Sequence, residues 1–131
     1  MKNPNKAPSF IIRYEKLADV LTDYDLASLG DAYTNFVCSL ALSNLKGQPS
    51  GVKVKRKILA AALRKAGLRK HMPTRITRHT LADGAEALIV YAWLRNHMTL
   101  DESVAILQKH DDLTEGLTQL LKTIIGRITL A

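Results

Sequence analysis

Three carboxylates are the residues of this sequence best suited to chemistry. Asp31 is the only residue charged at neutral pH in the segment 26–45, and Asp83 and Glu86 are the only such residues in the segment 79–94. The rest of both segments is largely apolar, which is typical of helices buried in a core. An ionised carboxylate loses several kcal/mol of hydration on burial, so each of these acids needs a compensating partner.

The spacing of Asp83 and Glu86 places both on one face of a helix, with their Cβ atoms roughly 5–6 Å apart. Two carboxylates this close repel each other unless a proton, a basic side chain or a cation lies between them. Mg²⁺ takes oxygen ligands, commonly one or two carboxylates with water and phosphate oxygens. With Asp31 from a neighbouring helix, the pair predicts a catalytic metal site for Mg²⁺ or Mn²⁺.

A second interpretation of the same acids stays open at the level of the sequence. Asp83 and Glu86 could stabilise the N-terminus of a helix that begins near Thr80. Asp31 could then pair with one buried arginine.

The elements that carry these acids are predicted to be helices, and the fold class is all-α, a single-domain helical bundle at residues 10–131 that follows a flexible arm at residues 1–9. The four prolines fall outside the periodic segments, and those segments have helical rather than alternating patterning. The predicted helices cover residues 15–21, 26–45, 53–66, 77 or 80 to 96, 99–109, and a last helix that begins at 112.

Capping signals set several of these boundaries. Asp23 or Asp25 can cap the second helix, and Gly67 can terminate the third. Thr99 with Glu102, and Asp112 with Glu115, each predict a capping box.

Two glycines stand next to the aspartates, although glycine inside a helix costs about 1 kcal/mol relative to alanine. Gly30 precedes Asp31, and Gly84 follows Asp83. They predict that the two acid-bearing helices approach closely at this point.

Basic residues are concentrated in one part of the chain. Residues 32–82 contain no Asp or Glu but hold 11 of the 19 Lys and Arg residues, and the whole chain carries a net charge of +7. This segregation is typical of a protein that binds a polyanion. In the predicted third helix, Lys53, Lys57 and Arg64 share the face opposite the apolar one. The predicted phosphate-contacting residues are Lys53, Lys57, Arg64, Arg69, Lys70, Arg75 and Arg78.

Two motifs give the sequence a resemblance to a known family. The residues Leu-Gly-Asp-Ala at 29–32, with Tyr33 and Phe36, look like the signature helix of the ribonuclease III family, and Leu-Ala-Asp-Gly-Ala-Glu-Ala-Leu-Ile at 81–89 looks like its second acidic motif. The resemblance implies a metal-dependent endonuclease that hydrolyses double-stranded or structured RNA as a homodimer. By motif position, Asp31, Asp83 and Glu86 would bind the metal and carry catalysis.

The sequence departs from the family signature at one position. The signature has a glutamate four residues before its aspartate, where this chain has Ala27. The compact Mini-III branch, which this chain resembles in length, also tends to have a small apolar residue there. The family also includes inactive relatives that are structural parts of ribosomes. A non-catalytic RNA-binding protein, within a ribonucleoprotein assembly, is therefore the alternative function, and a basic helical adaptor for another protein is a third.

The remaining features concern location. Cys38 lies among apolar neighbours, which predicts a buried thiol, and the chain has no apolar run long enough for a signal peptide or a membrane span. We therefore expect a cytoplasmic protein. Aromatic residues form only 5% of the chain, which argues against a stacking platform for single strands.

Overall fold

The computed structural model describes residues 8–11 and 14–130, and within them it contains helices and no strand. The six α-helices are α1 (Leu17–Leu21), α2 (Tyr24–Lys46), α3 (Arg56–Lys65), α4 (Arg78–Leu94), α5 (Leu100–Gln108) and α6 (Leu113–Arg127), with a 3₁₀ turn at Arg69–His71. The predicted all-α fold is confirmed. Most of the predicted arm at residues 1–9 lies outside the described residues. Within those that are described, none of the helices is both long and apolar enough to span a membrane.

The central element is α4, which packs against α1, α2, α3 and α6. Its apolar residues occupy every face, and nearly all of them are fully buried. A helix surrounded by neighbours on all sides has no polar face to present to water, as the sequence pattern predicts. Of the two acids on α4, Glu86 is therefore buried inside the domain, whereas Asp83 is partly exposed.

Several helix ends follow the capping signals of the sequence. Asp23 accepts a hydrogen bond from the backbone N–H of Leu26 at 3.0 Å and caps α2. Thr99 and Glu102 form the predicted capping box of α5. Gly67, in the left-handed region at φ +81°, follows the end of α3. The capping box predicted for α6 is wrong, because only Asp112 caps the helix and the Glu115 carboxylate instead binds Lys65 Nζ of α3 at 2.6 Å.

The start of α3 differs from the prediction. Residues 51–55 are not helical, because polar side chains of α2 bind their backbone: Val52 N donates to Ser39 Oγ at 2.9 Å, and Val54 N donates to Asn35 Oδ1 at 2.9 Å. Lys53 therefore lies before the helix, and its predicted place on one helical face with Lys57 and Arg64 is wrong.

One stripe of α2 is not buried. Leu29 and Phe36 are 41% and 55% exposed, and Trp93 of α4, stacked on Tyr33 at a centroid distance of 4.8 Å, is 41% exposed. Leu29, Tyr33 and Phe36 follow one another at i, i+4 and i+7, so they share a face. The prediction that this helix is buried in the core is wrong for this face.

Candidate active site

The candidate site lies where α2 crosses α4. A Cβ atom at Gly30 would overlap the backbone carbonyl of Glu86, so only glycine allows the two helices to come this close. This confirms the predicted close approach for Gly30. Gly84 plays a different part, since its Cα faces Met72, Leu63 and the backbone of Leu21 rather than α2.

Glu86 is the most deeply buried acid of the site, with 1% of its surface exposed. Burial, reinforced by the adjacent Asp31 carboxyl and opposed by Arg56, raises the pKa of its carboxyl to about 8. When Glu86 is ionised, its buried Oε2 atom has no hydrogen-bond donor among the described residues, whereas the protonated carboxyl can hydrogen-bond to Asp31. A buried polar atom without a partner is rare and often marks a catalytic group or the place of an ion.

Arg56 supplies the positive charge of the site. Its Nη1 atom lies 2.6 Å from Asp83 Oδ1 and 3.8 Å from Glu86 Oε1. The hydrogen bond to Asp83 raises the pKa of Arg56 and keeps the guanidinium charged. Of the three kinds of compensation that the sequence left open for the acidic pair, the structure therefore contains a basic side chain, and the raised pKa of Glu86 favours a retained proton as well.

The second interpretation of the acidic pair is wrong. Helix α4 begins at Arg78 and has no acid in its first turn, because Asp83 and Glu86 lie further along the helix. They are too far from its N-terminus to be capping residues, since that effect falls off within the first turn.

Asp31 is positioned by a residue that the sequence analysis missed. Asn35, one turn later on α2, donates from Nδ2 to Asp31 Oδ1 at 3.3 Å and accepts the backbone N–H of Val54 at its Oδ1 atom. The same amide thus orients Asp31 and fixes the segment that leads to Arg56. An asparagine four residues after a lone aspartate, on the same helical face, is the signal that was available in the sequence.

Position 27 contributes no oxygen to the site. Ala27 lies one turn before Asp31 and is 4% exposed. Asp83, for its part, is engaged by Arg56. Within the described part of the chain, no three His, Cys, Asp or Glu side chains are arranged as ligands for one metal ion. The metal site therefore stays a prediction, although Glu86 lies beside Asp31 and shares the Arg56 guanidinium with Asp83.

The predicted phosphate-contacting residues are mostly at the surface. Those with exposed side chains are Lys53, Lys57, Arg64, Lys70, Arg75 and Arg78. Arg69 is half-buried, and its guanidinium donates to the backbone carbonyls of Pro73 and Thr74 at 2.9 and 2.6 Å. Arg69 therefore braces the loop that leads into α4. Arg56 was not predicted as a site residue, because nothing in a basic run distinguishes the one residue that faces the acids.

An all-helical domain with a carboxylate cluster at a buried helix crossing, flanked by basic surface, defines a candidate enzyme of the class that acts on nucleic-acid phosphates. The family model described as Ribonuclease III matches residues 24–129. The chain belongs to the ribonuclease III family, and this membership supports a ribonuclease-type enzyme that acts on RNA. No curated protein matches the sequence.

The raised pKa of Glu86 predicts a specific dependence of stability on pH. A carboxyl with a pKa of about 8 in the folded state and an ordinary value of 4.5 keeps its proton longer in the folded protein than in the unfolded chain. The free energy of unfolding should therefore fall as the pH rises from about 5 to 8. Glu86→Gln removes the cost of ionising the buried carboxyl, so this variant should be more stable than the wild type by about 1–3 kcal/mol at pH 8. Urea unfolding in EDTA at both pH values measures the difference.

The control for this experiment is Glu15→Gln, which removes an exposed acid. It should leave the pH dependence of the wild type unchanged. If Glu86→Gln shows the same pH dependence as the wild type, the account of a protonated Glu86 is wrong.

Proposed function

We propose that the protein is a metal-dependent endoribonuclease that hydrolyses phosphodiester bonds in double-stranded or structured RNA. The observation that supports this best is the meeting of Asp31, Asp83 and Glu86 at one buried helix crossing, although more than fifty residues separate the first acid from the others. Family membership supports RNA as the substrate class.

The donor set fits a hard divalent cation, Mg²⁺ or Mn²⁺. Such ions prefer carboxylate oxygens, and the buried Oε2 atom of Glu86 is an oxygen without a partner among the described residues. Asp31, Asp83 and Glu86 would hold the cation. When bound, the metal would polarise a phosphodiester oxygen and lower the pKa of a water molecule toward neutrality.

In the metal-free protein, Arg56 and a proton on Glu86 together offset the negative charge that a bound cation would otherwise neutralise. The guanidinium neutralises Asp83, and Glu86 avoids a buried charge by staying protonated. For all three carboxylates to serve as ligands, Glu86 must lose its proton, and ligation through Asp83 Oδ1 requires Arg56 to move away from that oxygen. Metal binding and movement of Arg56 are therefore coupled in this proposal.

The alternative function is a non-catalytic RNA-binding structural protein, for example one associated with the ribosome. Two observations favour it: Ala27 provides no ligand oxygen, and Arg56 already satisfies Asp83. In that case the carboxylates would stabilise the helix crossing only, and RNA binding would not depend on a divalent ion.

Cleavage of duplex RNA in the presence of Mg²⁺ or Mn²⁺ distinguishes these functions. Glu86→Gln keeps the size of the side chain but removes a charged ligand, so we expect it to lower the rate of divalent-dependent cleavage by about 100-fold or more while the protein stays folded. Gel analysis of a structured RNA measures the rate, with Glu15→Gln as the control that should cleave like the wild type. An unchanged rate in Glu86→Gln, or no divalent-dependent cleavage by the wild type, contradicts the proposed function.

We further propose that the working form is a homodimer. Leu29, Phe36 and Trp93 form an exposed apolar surface, with Tyr33 stacked against Trp93. Contiguous exposed apolar patches commonly mark interfaces between proteins. A second copy of the chain would cover this surface and bring the signature helices of two subunits together.

A charge in this surface tests the dimer. Phe36→Glu should give a monomer, because an isolated carboxylate would be buried in the interface. Leu45→Glu is the matched control: Leu45 is 61% exposed and lies on the opposite side of α2, so this variant should keep the mass of the wild type. Sedimentation equilibrium measures the mass. A monomeric wild type, or a Phe36→Glu variant that still dimerises, excludes this interface.

A further inference from the structure

A cavity of about 240 Å³ opens between the beginnings of α3 and α4. Five side chains line it, all of them basic: Lys55, Arg56, Lys57, Arg78 and His79. In the part of the chain that the structure describes, no acidic residue lines the cavity. Only two of these residues, Lys57 and Arg78, were predicted from the sequence to contact phosphate.

The positive charge of this cavity is largely uncompensated. Among the described residues, neither Lys55 nor Lys57 nor Arg78 forms an ion pair. Arg56 is the exception, since its guanidinium binds Asp83. Like charges gathered around one cavity repel one another, so an anion in it would be attracted by several groups at once.

The two helix N-termini at the cavity add to this charge. A helix N-terminus carries partial positive charge, and the other long helices place acids there, such as Asp25 in α2 and Glu115 in α6. Helices α3 and α4 have no acid in the first turn and begin with basic residues instead. This arrangement is unfavourable for the isolated helices and suits an anionic ligand.

Backbone donors are available at the same place. In the described part of the chain, no group accepts a hydrogen bond from the backbone N–H of Arg56, Lys57, Arg78 or His79. These are the first two residues of each helix, and all four line the cavity. Backbone N–H groups and basic side chains together are the donors that phosphate oxygens use in proteins.

We propose that this cavity is a phosphate-binding pocket that takes one phosphate of the RNA next to the carboxylate cluster. The inference rests on the proposed function and deepens it, because it assigns a position to the substrate. Arg56 lines the pocket and also contacts Asp83 at 2.6 Å, so a phosphate bound here lies within one side chain's length of the acids. The brace from Arg69 to Pro73 and Thr74 holds the loop that precedes Arg78.

The test measures RNA binding by the full chain in EDTA, where cleavage does not occur. The double variant Lys57→Gln with Arg78→Gln removes two pocket charges, and the matched control Lys46→Gln with Lys122→Gln removes two exposed charges elsewhere. On a duplex RNA of about 20 base pairs, the pocket variant should bind about 10-fold or more weakly and lose about two units of salt dependence. The control should bind clearly more tightly than the pocket variant.

The form of the RNA identifies which phosphate enters the pocket. A dumbbell RNA closed at both ends offers only internal phosphodiesters, and a linear duplex with or without a 5′-phosphate offers the terminal group. A pocket effect that persists on the dumbbell indicates an internal phosphodiester, and one confined to the 5′-phosphorylated duplex indicates a terminal phosphate. Either result supports the pocket.

Two outcomes overturn the inference: equal weakening by the pocket and control variants, or no measurable binding of duplex RNA by the wild type. The proposed function is tested by a separate measurement, cleavage of RNA in Mg²⁺. If the wild type cleaves RNA but the pocket and control variants weaken binding equally, only the pocket is excluded. If the wild type binds through the pocket but does not cleave, only the endonuclease function is excluded.

Discussion

The arrangement of this protein depends on the burial of one carboxylate, that of Glu86, at a helix crossing. Gly30 lets α2 touch the backbone of α4 at Glu86, and this contact places Asp31 beside a carboxyl that water no longer reaches. The resulting electrostatic cost has to be relieved by a proton, a basic side chain or a metal ion. Without a metal, Arg56 relieves it through its ion pair with Asp83, and the raised pKa of Glu86 favours a carboxyl that keeps its proton.

Local signals predicted most of the fold, because helix periodicity and capping act over a few residues. Helix α2 begins at its cap Asp23, and α5 begins at the capping box of Thr99 and Glu102, as the sequence indicates. Gly67 follows the end of α3, also as predicted. The failures have a common cause in contacts between remote segments. Ser39 and Asn35 of α2 hold the backbone of residues 51–55 out of the helix that its composition favours. Likewise, Glu115 does not complete the capping box of α6, because its carboxylate pairs with Lys65 of α3.

The candidate site was predictable in its acids but not in its basic partner. A lone charge in an apolar helix is conspicuous, so Asp31, Asp83 and Glu86 could be chosen from the sequence. Arg56 is one of several basic residues in a row, and it faces the acids because α3 begins at this residue. The position at which α3 begins depends on Asn35, which binds the backbone of Val54. Asn35 thus connects the orientation of Asp31 to the placement of Arg56. The acidic cluster and the basic cavity share Arg56, so a ligand bound at either one should alter the charge available at the other.

The most direct test of the central claim is a titration of Mn²⁺ followed by the melting temperature of the protein. Binding to the native state must stabilise it, and removing the competing guanidinium should strengthen that binding. The account predicts that Mn²⁺ raises the melting temperature of the wild type, raises that of Arg56→Gln at lower concentrations, and has no effect on Glu86→Gln. Equal shifts in all three proteins, or no shift in the wild type, would contradict the claim that these acids form a cation site.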